Sequence, residues 1–130
     1  MKARNWIVFA ALMALCSVAM GAFASHGLKN ILSDKALAWI ETAAQYQMYH
    51  ALALLALACI ILSSGRSLLS NLCGYSFLMG IVGFSGSLYA LAFGGPKMLV
   101  FVTPVGGLLL MLGWLLLILT AIKLDTGTEH

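Results

Sequence analysis

Four long apolar runs divide the chain, with short polar segments between them. The runs cover residues 6–24, 43–62, 72–93 and 98–122. Each provides the roughly 20 residues that a helix needs to cross about 30 Å of hydrocarbon. None of them alternates strictly between apolar and polar residues, as a strand of a membrane β-barrel does. Because backbone groups inside a bilayer must be hydrogen bonded within the protein, the pattern predicts four transmembrane α-helices.

The polar segments predict where these helices begin and end. Ser33 or Asp34 is a suitable N-cap for the second helix, and Gly27 is a suitable stop for the first. Short connections make neighbouring helices antiparallel. We therefore predict an all-α integral membrane protein, an up-down bundle over residues 1–124 with a polar C-terminal tail at residues 125–130. The predicted helices lie near residues 6–26, 34–62, 67–93 and 97–123.

The composition supports a membrane location. Of the 130 residues, 62% are hydrophobic and 8% are charged, whereas about a quarter of the residues in a soluble domain are charged. So few charges cannot cover a water-soluble surface. Lys2 and Arg4 precede an apolar run that ends in Ala22-Phe23-Ala24, which is also the layout of a signal peptide. We expect a retained first helix, because the run exceeds the roughly 7–15 residues of a signal core.

The charges themselves are few and dispersed. The formal net charge of +3 forms no basic patch, so we expect no nucleic-acid partner. Four spans place both termini on one side of the membrane. By the positive-inside rule, the small excess of Lys and Arg on that side predicts cytoplasmic termini. The terminal side carries Lys2, Arg4, Arg66 and Lys123, and the other side carries Lys29, Lys35 and Lys97.

Small residues spaced three and four apart form stripes on two of the predicted helices. Such residues share one helix face and let helix backbones approach closely in lipid. Each stripe is either a packing face inside one bundle or a face for self-association. The third helix carries Cys73, Ser76, Gly80, Gly83 and Ser87, and the first carries Ala10, Ala14, Ser17 and Gly21. We assign helix packing to Gly21, Gly80, Gly83, Gly86, Gly106 and Gly107.

Most polar residues of the spans are predicted to lie in the half of the bilayer nearest the first connection. If Ala43 marks the hydrocarbon edge, His50 lies seven residues deeper, about 10 Å at 1.5 Å per residue. Counting from the ends of the third and fourth helices places Ser85, Ser87 and Thr103 at the same depth. The candidate polar half-site comprises His26, Gln47, His50, Ser85, Ser87, Tyr89 and Thr103.

This clustering has two interpretations. Unpaired polar groups are costly in lipid, so the residues can form a structural set of hydrogen bonds, with a kink at Thr103-Pro104. Alternatively they line a polar cavity, since ionisable groups in membranes often mark functional sites. Burial disfavours the imidazolium, so we expect His50 to be neutral. We also expect it to bond to the third or fourth helix, through a Ser, Thr or Tyr hydroxyl.

Catalytic and metal-binding motifs are not found in the sequence. It contains no HExxH, no GxSxG and no phosphate-binding loop. Glu41, His26 and His50 are scattered over two helices, which is a poor pattern for a metal site. The two histidines also differ by about 10 Å in predicted depth, which disfavours a shared haem. We therefore expect a non-enzyme with no catalytic residue, no metal and no cofactor.

Motifs on all four spans resemble a known family of small membrane proteins, the YgdD/YwdK-like group, also called domain of unknown function 423. The similarity extends over nearly the whole chain, and Gln45 stands where some members carry a charged residue. The resemblance implies a four-span protein of the bacterial inner membrane, with no established activity or substrate. The matching residues are Gly21-Ala22-Phe23 with His26; Trp39, Thr42, Tyr46-Gln47 and His50; the run of residues 84–89; and the run of residues 101–107 with Gly113-Trp114.

Three functional hypotheses remain open from the sequence. The first is a non-enzymatic accessory or interaction protein whose partners are the lipid bilayer and a second copy or another membrane protein. The second is a small transporter or channel component, which must oligomerise because one four-helix bundle has little interior. The third is a lipid or quinone binder that uses the polar half-site.

Overall fold

The computed structural model describes residues 1–125 and contains four long α-helices. They are α1 (Ala3–His26), α2 (Asp34–Ser64), α3 (Leu68–Ala92) and α4 (Val102–Asp125). A short 3-10 segment, Lys97–Phe101, precedes α4. All four spans are long and apolar enough to cross a membrane, and the described residues contain no strand. The prediction of an all-α bundle with four transmembrane helices is confirmed.

Local side-chain chemistry explains where the two central helices begin and end. The Ser33 hydroxyl accepts a hydrogen bond from the Ala36 amide at 3.2 Å and caps α2. At the start of α3, Ser67 and Ser70 bond each other's backbone amides in a capping box. Gly65 ends α2 with a φ of 81°, a left-handed conformation that glycine adopts without strain.

The two central helices, α2 and α3, carry most of the buried surface. α1 packs mainly on α2, and α4 packs mainly on α3. Trp6, Leu54, Leu57 and Phe77 are fully buried in the larger core. A smaller apolar cluster lies at the other end of the bundle, where its buried residues are Ala24, Ala36, Ile40 and Ala92. The large apolar side chains on the outside therefore face lipid, as expected for a membrane bundle.

The start of the fourth span differs from the predicted single helix with a kink. The span begins as a 3-10 turn, and the α-helix starts only at Val102. Pro104 therefore lies in the first turn of α4, where its missing N–H removes no hydrogen bond of the α-helix. An N–H at position 104 would reach the backbone carbonyl of Val100, and Val100 belongs to the 3-10 segment. The reason for predicting a kink at Thr103-Pro104, a hydrogen bond lost inside the α-helix, therefore does not apply.

Candidate functional site

The closest helix contact in the protein joins α3 to α4 through glycines. A Cβ added to Gly106 would collide with the backbone nitrogen of Phe84. A Cβ on Gly83 would lie 3.1 Å from Gly106 Cα, and one on Gly80 would lie 2.5 Å from Leu110 Cδ2. The two backbones can approach this closely because no side chains separate them.

Hydrogen bonds continue the same contact towards the start of α3. The Ser76 hydroxyl donates to the Leu109 carbonyl at 2.8 Å, and the Cys73 thiol donates to the Gly113 carbonyl at 3.3 Å. Every member of the third-helix stripe thus faces α4. This stripe packs inside one bundle, and the self-association interpretation is wrong for it because α4 already covers it.

The other predicted packing glycines do not make comparable contacts. Nothing lies within 4 Å of a Cβ added to Gly21 or Gly86, so assigning helix packing to these two was wrong. A Cβ on Gly107 would meet only the edge of the Phe84 ring, at 3.6 Å. A small residue permits close packing but does not require it; the side facing a neighbour depends on the rotation of each helix.

Three of the predicted half-site residues form hydrogen bonds that connect α1, α2 and α3. The Gln47 amide nitrogen donates to the Met13 carbonyl of α1 at 2.9 Å, and its oxygen accepts from the Tyr89 hydroxyl of α3 at 2.8 Å. The Ser85 hydroxyl donates to the Ala43 carbonyl at 2.8 Å. Gln47, Ser85 and Tyr89 also line a groove of about 310 Å³ between α1 and α3.

The remaining half-site residues lie elsewhere. The Ser87 and Thr103 hydroxyls are 2.7 Å apart and join α3 to α4. His26 is exposed at the end of α1. His50 lies in a separate group on the face between α2 and α4. The half-site is therefore a set of separate interhelical bonds, and the structure does not bring its seven members into one polar cavity.

His50 also lies further from the first connection than Ser85, which meets Ala43. Ile40 packs in one cluster with Ala92, the last residue of α3, so the span of α2 starts before Ala43. His50 is ten residues past Ile40, about 15 Å along the helix. Its ring packs against Phe77, with centroids 5.7 Å apart. The predicted common level with Ser85, Ser87 and Thr103 was wrong, because Ser85 meets Ala43, seven residues before His50, and Ser87 meets Thr103 in the first turn of α4.

Both nitrogens of His50 are hydrogen bonded. The Trp114 indole donates to Nε2 at 3.1 Å. Because an indole only donates, Nε2 carries no proton, and Nδ1–H donates to the Tyr46 carbonyl at 2.6 Å. The expected bond to the fourth helix is present, but its partner is an indole and the prediction of a hydroxyl was wrong. The hydrogen bonds describe a neutral ring that holds Trp114 in place.

An open groove lies between α2 and α4 on this side of the bundle, and we call it the α2/α4 groove. Its main cavity has a volume of about 740 Å³. A second cavity of about 330 Å³ extends it towards the first connection and shares Pro104 with it. His50 and Trp114 line the deep end. The buried Phe77 ring packs behind them, edge to face with Trp114 at a centroid distance of 5.2 Å. The main cavity is lined by Tyr46, Tyr49, His50, Pro104, Gly107, Leu108, Leu110, Met111 and Trp114.

Two tyrosine hydroxyls in the α2/α4 groove have no hydrogen-bond partner within residues 1–125. They belong to Tyr46 and Tyr49, whose rings are 6.0 Å apart. Both side chains are about half exposed, at 41% and 54%. The Tyr46 ring is held between His50 and Phe84, at 6.1 Å and 4.8 Å. The groove therefore presents two phenol groups on a fixed aromatic wall.

Metal-binding chemistry has no counterpart in the described part of the chain. Within residues 1–125, no three His, Cys, Asp or Glu side chains come close enough to hold a metal ion. His26 and His50 lie at different levels, as their positions at the end and in the middle of their helices require. The site residues instead form helix contacts and the wall of an apolar groove.

Sequence reasoning missed the residues that build the groove. Trp114 and Tyr46 entered only as residues that match the family motifs, and Tyr49 was not singled out. Aromatic residues at positions 46, 49 and 50 lie three and four apart, so they share a helix face, and this spacing was the available signal. Ser17, which donates to the Ala44 carbonyl at 2.7 Å, was noted only as a small residue.

The fold and the groove define a class: a small multi-pass membrane protein with an open cavity of about 740 Å³ between two of its helices. Residues 20–107 match the model of a family described as protein of unknown function (DUF423). The chain belongs to this family, as its motifs predicted.

Similar proteins carry membrane-protein names. The UPF0382 membrane protein of Haemophilus influenzae is 46% identical over 85% of this chain and 88% of its own length. A UPF0382 membrane protein of Staphylococcus epidermidis is 43% identical over 91% and 95%. The UPF0382 inner membrane protein YgdD of Escherichia coli is 38% identical over 100% and 99%. No solved structure matches the chain. The chain is thus a small inner-membrane protein of an uncharacterised family.

Proposed function

We propose that this protein is a non-enzymatic membrane protein that binds one lipid-like molecule in the α2/α4 groove. The observation that carries the proposal is the length of the groove. Its lining runs from Trp39 to His50 on α2, eleven residues or about 17 Å. That length is about half of the 30 Å hydrocarbon core. A chain from a single leaflet fits this groove, whereas a partner helix would need a contact across the whole membrane.

The chemistry of the groove supports the same proposal. A cavity of about 740 Å³ lies in the usual range for ligand sites, which are mostly apolar with few polar groups. Both nitrogens of His50 are engaged within the protein, so the ring has no free nitrogen to act as a general base. These features favour binding without a catalytic step.

A blocking variant tests the proposal. Leu108 lines the groove and is 64% exposed, so Leu108→Trp should fill the cavity without disturbing helix contacts. Leu119→Trp is the matched control, because Leu119 lies on the same face of α4 but beyond the groove and is 48% exposed. The protein is purified in mild detergent with inner-membrane lipid extract and measured by native mass spectrometry. The parent and Leu119→Trp should each retain one lipid-like molecule, and Leu108→Trp should lose it.

Two results would overturn the proposal. One is a parent protein that retains no lipid-like molecule under conditions in which the bundle stays folded. The other is equal retention by Leu108→Trp and the parent, which would place the molecule outside the groove. A retained polypeptide in place of a small molecule would favour an accessory role with a protein partner.

A further inference from the structure

We infer that the ligand of the α2/α4 groove carries a planar ring with oxygen acceptors, as in the prenylquinone class of lipids, seated beside Tyr46, Tyr49 and Trp114. This inference rests on the proposed function and names the ligand of the same groove. The inference is based on two phenol hydroxyls, those of Tyr46 and Tyr49, which have no partner among the described residues and lie beside aromatic side chains in a membrane-spanning part of the bundle.

Depth decides between ligand classes. Tyr46 lies six residues past Ile40 and Tyr49 nine residues past it, about 9 Å and 13 Å along α2. An unpaired hydroxyl in an apolar setting is unfavourable, so each phenol needs an acceptor at that depth. The acyl chains of a phospholipid have only CH₂ groups there. A lipid with ring carbonyls offers acceptors to both hydroxyls.

The walls of the groove suit a flat ring. Tyr46, Tyr49 and Trp114 are each about half exposed and line one cavity, so a planar ring can pack against aromatic surfaces there. The His50 bond fixes the indole of Trp114 and uses its only donor, which leaves the two phenols as the donors for the ligand. An isoprenoid tail would follow Leu108 and Met111 into the lipid.

The lack of charged side chains in the main cavity also favours an uncharged ring over a charged lipid group. Among the described residues, no Lys, Arg, Asp or Glu lines the main cavity. A phosphate or an ammonium group would therefore be buried without a counter-charge, which is strongly unfavourable. A quinone ring is uncharged and needs hydrogen-bond donors only.

Tryptophan fluorescence quenching tests the inference. The probe is a short-chain ubiquinone, titrated into the full chain in nanodiscs of phosphatidylethanolamine and phosphatidylglycerol. The parent should show saturable quenching, and Trp114→Phe should lose the part of it that comes from the main cavity, since Trp114 is the one tryptophan among the described residues that lines this cavity. Trp39 lines only the second cavity, and Trp6 lies in the larger core outside the groove. Tyr46→Phe/Tyr49→Phe removes only the hydroxyls and should weaken binding about tenfold, the effect expected for two hydrogen bonds. Tyr75→Phe is the matched control, an exposed tyrosine on α3, and should bind as the parent does.

The outcomes separate this inference from the proposed function. If the parent retains a lipid that Leu108→Trp loses, yet shows no saturable quenching, the ring inference is wrong and the groove proposal stands. If the double phenylalanine variant binds the quinone as tightly as the parent, the phenols do not recognise it and the inference is overturned. If quenching saturates equally in Leu108→Trp, the quinone binds outside the groove and the inference is overturned, whereas the proposed function still depends on the retention measurement.

Discussion

At the residue scale, His50 is a polar side chain whose hydrogen bonds are all made within the protein. It lies near the middle of α2, a membrane-spanning helix, where an imidazole is acceptable only when both nitrogens are paired. Tyr46 and Trp114 provide the two partners. The histidine positions the indole that forms the deep wall of the groove, so a change at position 50 should affect both stability and the shape of the groove.

The first prediction follows from that pairing. His50→Leu leaves the Trp114 N–H without an acceptor, and we expect a loss of about 1–3 kcal/mol in the free energy of unfolding. In the Trp114→Phe background the same histidine change should cost less, because the donor is gone. The free energy of unfolding in mixed detergent micelles is measured for the parent, the two single variants and the double variant. The difference between the double variant and the sum of the single variants gives the coupling energy of the His50–Trp114 pair. If the two single changes add strictly, the hydrogen bond between Trp114 and His50 does not contribute to stability.

Gln47 provides the second prediction at this scale. Its amide connects the Met13 carbonyl of α1 with the Tyr89 hydroxyl of α3 and is 4% exposed. Gln47→Leu should destabilise the protein by about 1–3 kcal/mol, since two buried polar partners lose their bonds.

Gln45→Leu is the matched control for that change, because Gln45 is exposed two positions away on the same helix. It should leave the unfolding midpoint unchanged or raise it. If the two leucine variants unfold alike, the bridge through Gln47 contributes nothing to stability.

At the element scale, the pairing of α3 with α4 depends on a backbone contact rather than on interlocking side chains. Gly106→Ala places a methyl group against the backbone nitrogen of Phe84, and backbone cannot move aside as a flexible side chain can. We expect a loss of about 1–3 kcal/mol, the usual range for overpacking.

Gly86→Ala makes the same chemical change on the same pair of helices, at a position where nothing lies within 4 Å of the added Cβ. Alanine favours a helix by about 1 kcal/mol over glycine, so this variant should be as stable as the parent or more stable. Thermal unfolding in detergent compares the two. A Gly106→Ala protein that melts with Gly86→Ala would show that the contact between α3 and α4 is looser than described.

At the scale of the whole molecule, the topology places the α2/α4 groove in the leaflet on the side of the first connection. We predict that both termini face the cytoplasm, from the excess of Lys and Arg on the terminal side, which puts the groove in the outer leaflet. Fusions of a cytoplasm-active and a periplasm-active reporter to the C-terminus measure this directly. Activity from the periplasmic reporter alone would reverse the orientation and move the groove to the inner leaflet.

The sequence by itself determined the number of spans, the class of fold and the family. Those properties depend on the length of apolar runs, since a bilayer forces each such run to satisfy its own backbone. It also predicted that a stripe of small residues on the third span would lie in a helix contact or a self-association face. These are one-dimensional patterns, so they can be read without knowing which helices are neighbours.

Only the tertiary structure decided which polar residues meet. Helix rotation sets which face of α2 turns to α4, and the relative shift of the helices sets their common level. Gln47 therefore meets Tyr89, whereas His50 meets Trp114, 64 positions away along the chain. Neither rotation nor shift follows from hydropathy, because nearly every face of these helices is apolar. The groove exists because α2 and α4 both pack on α3 and hardly touch each other, and that arrangement is a property of three packed helices together.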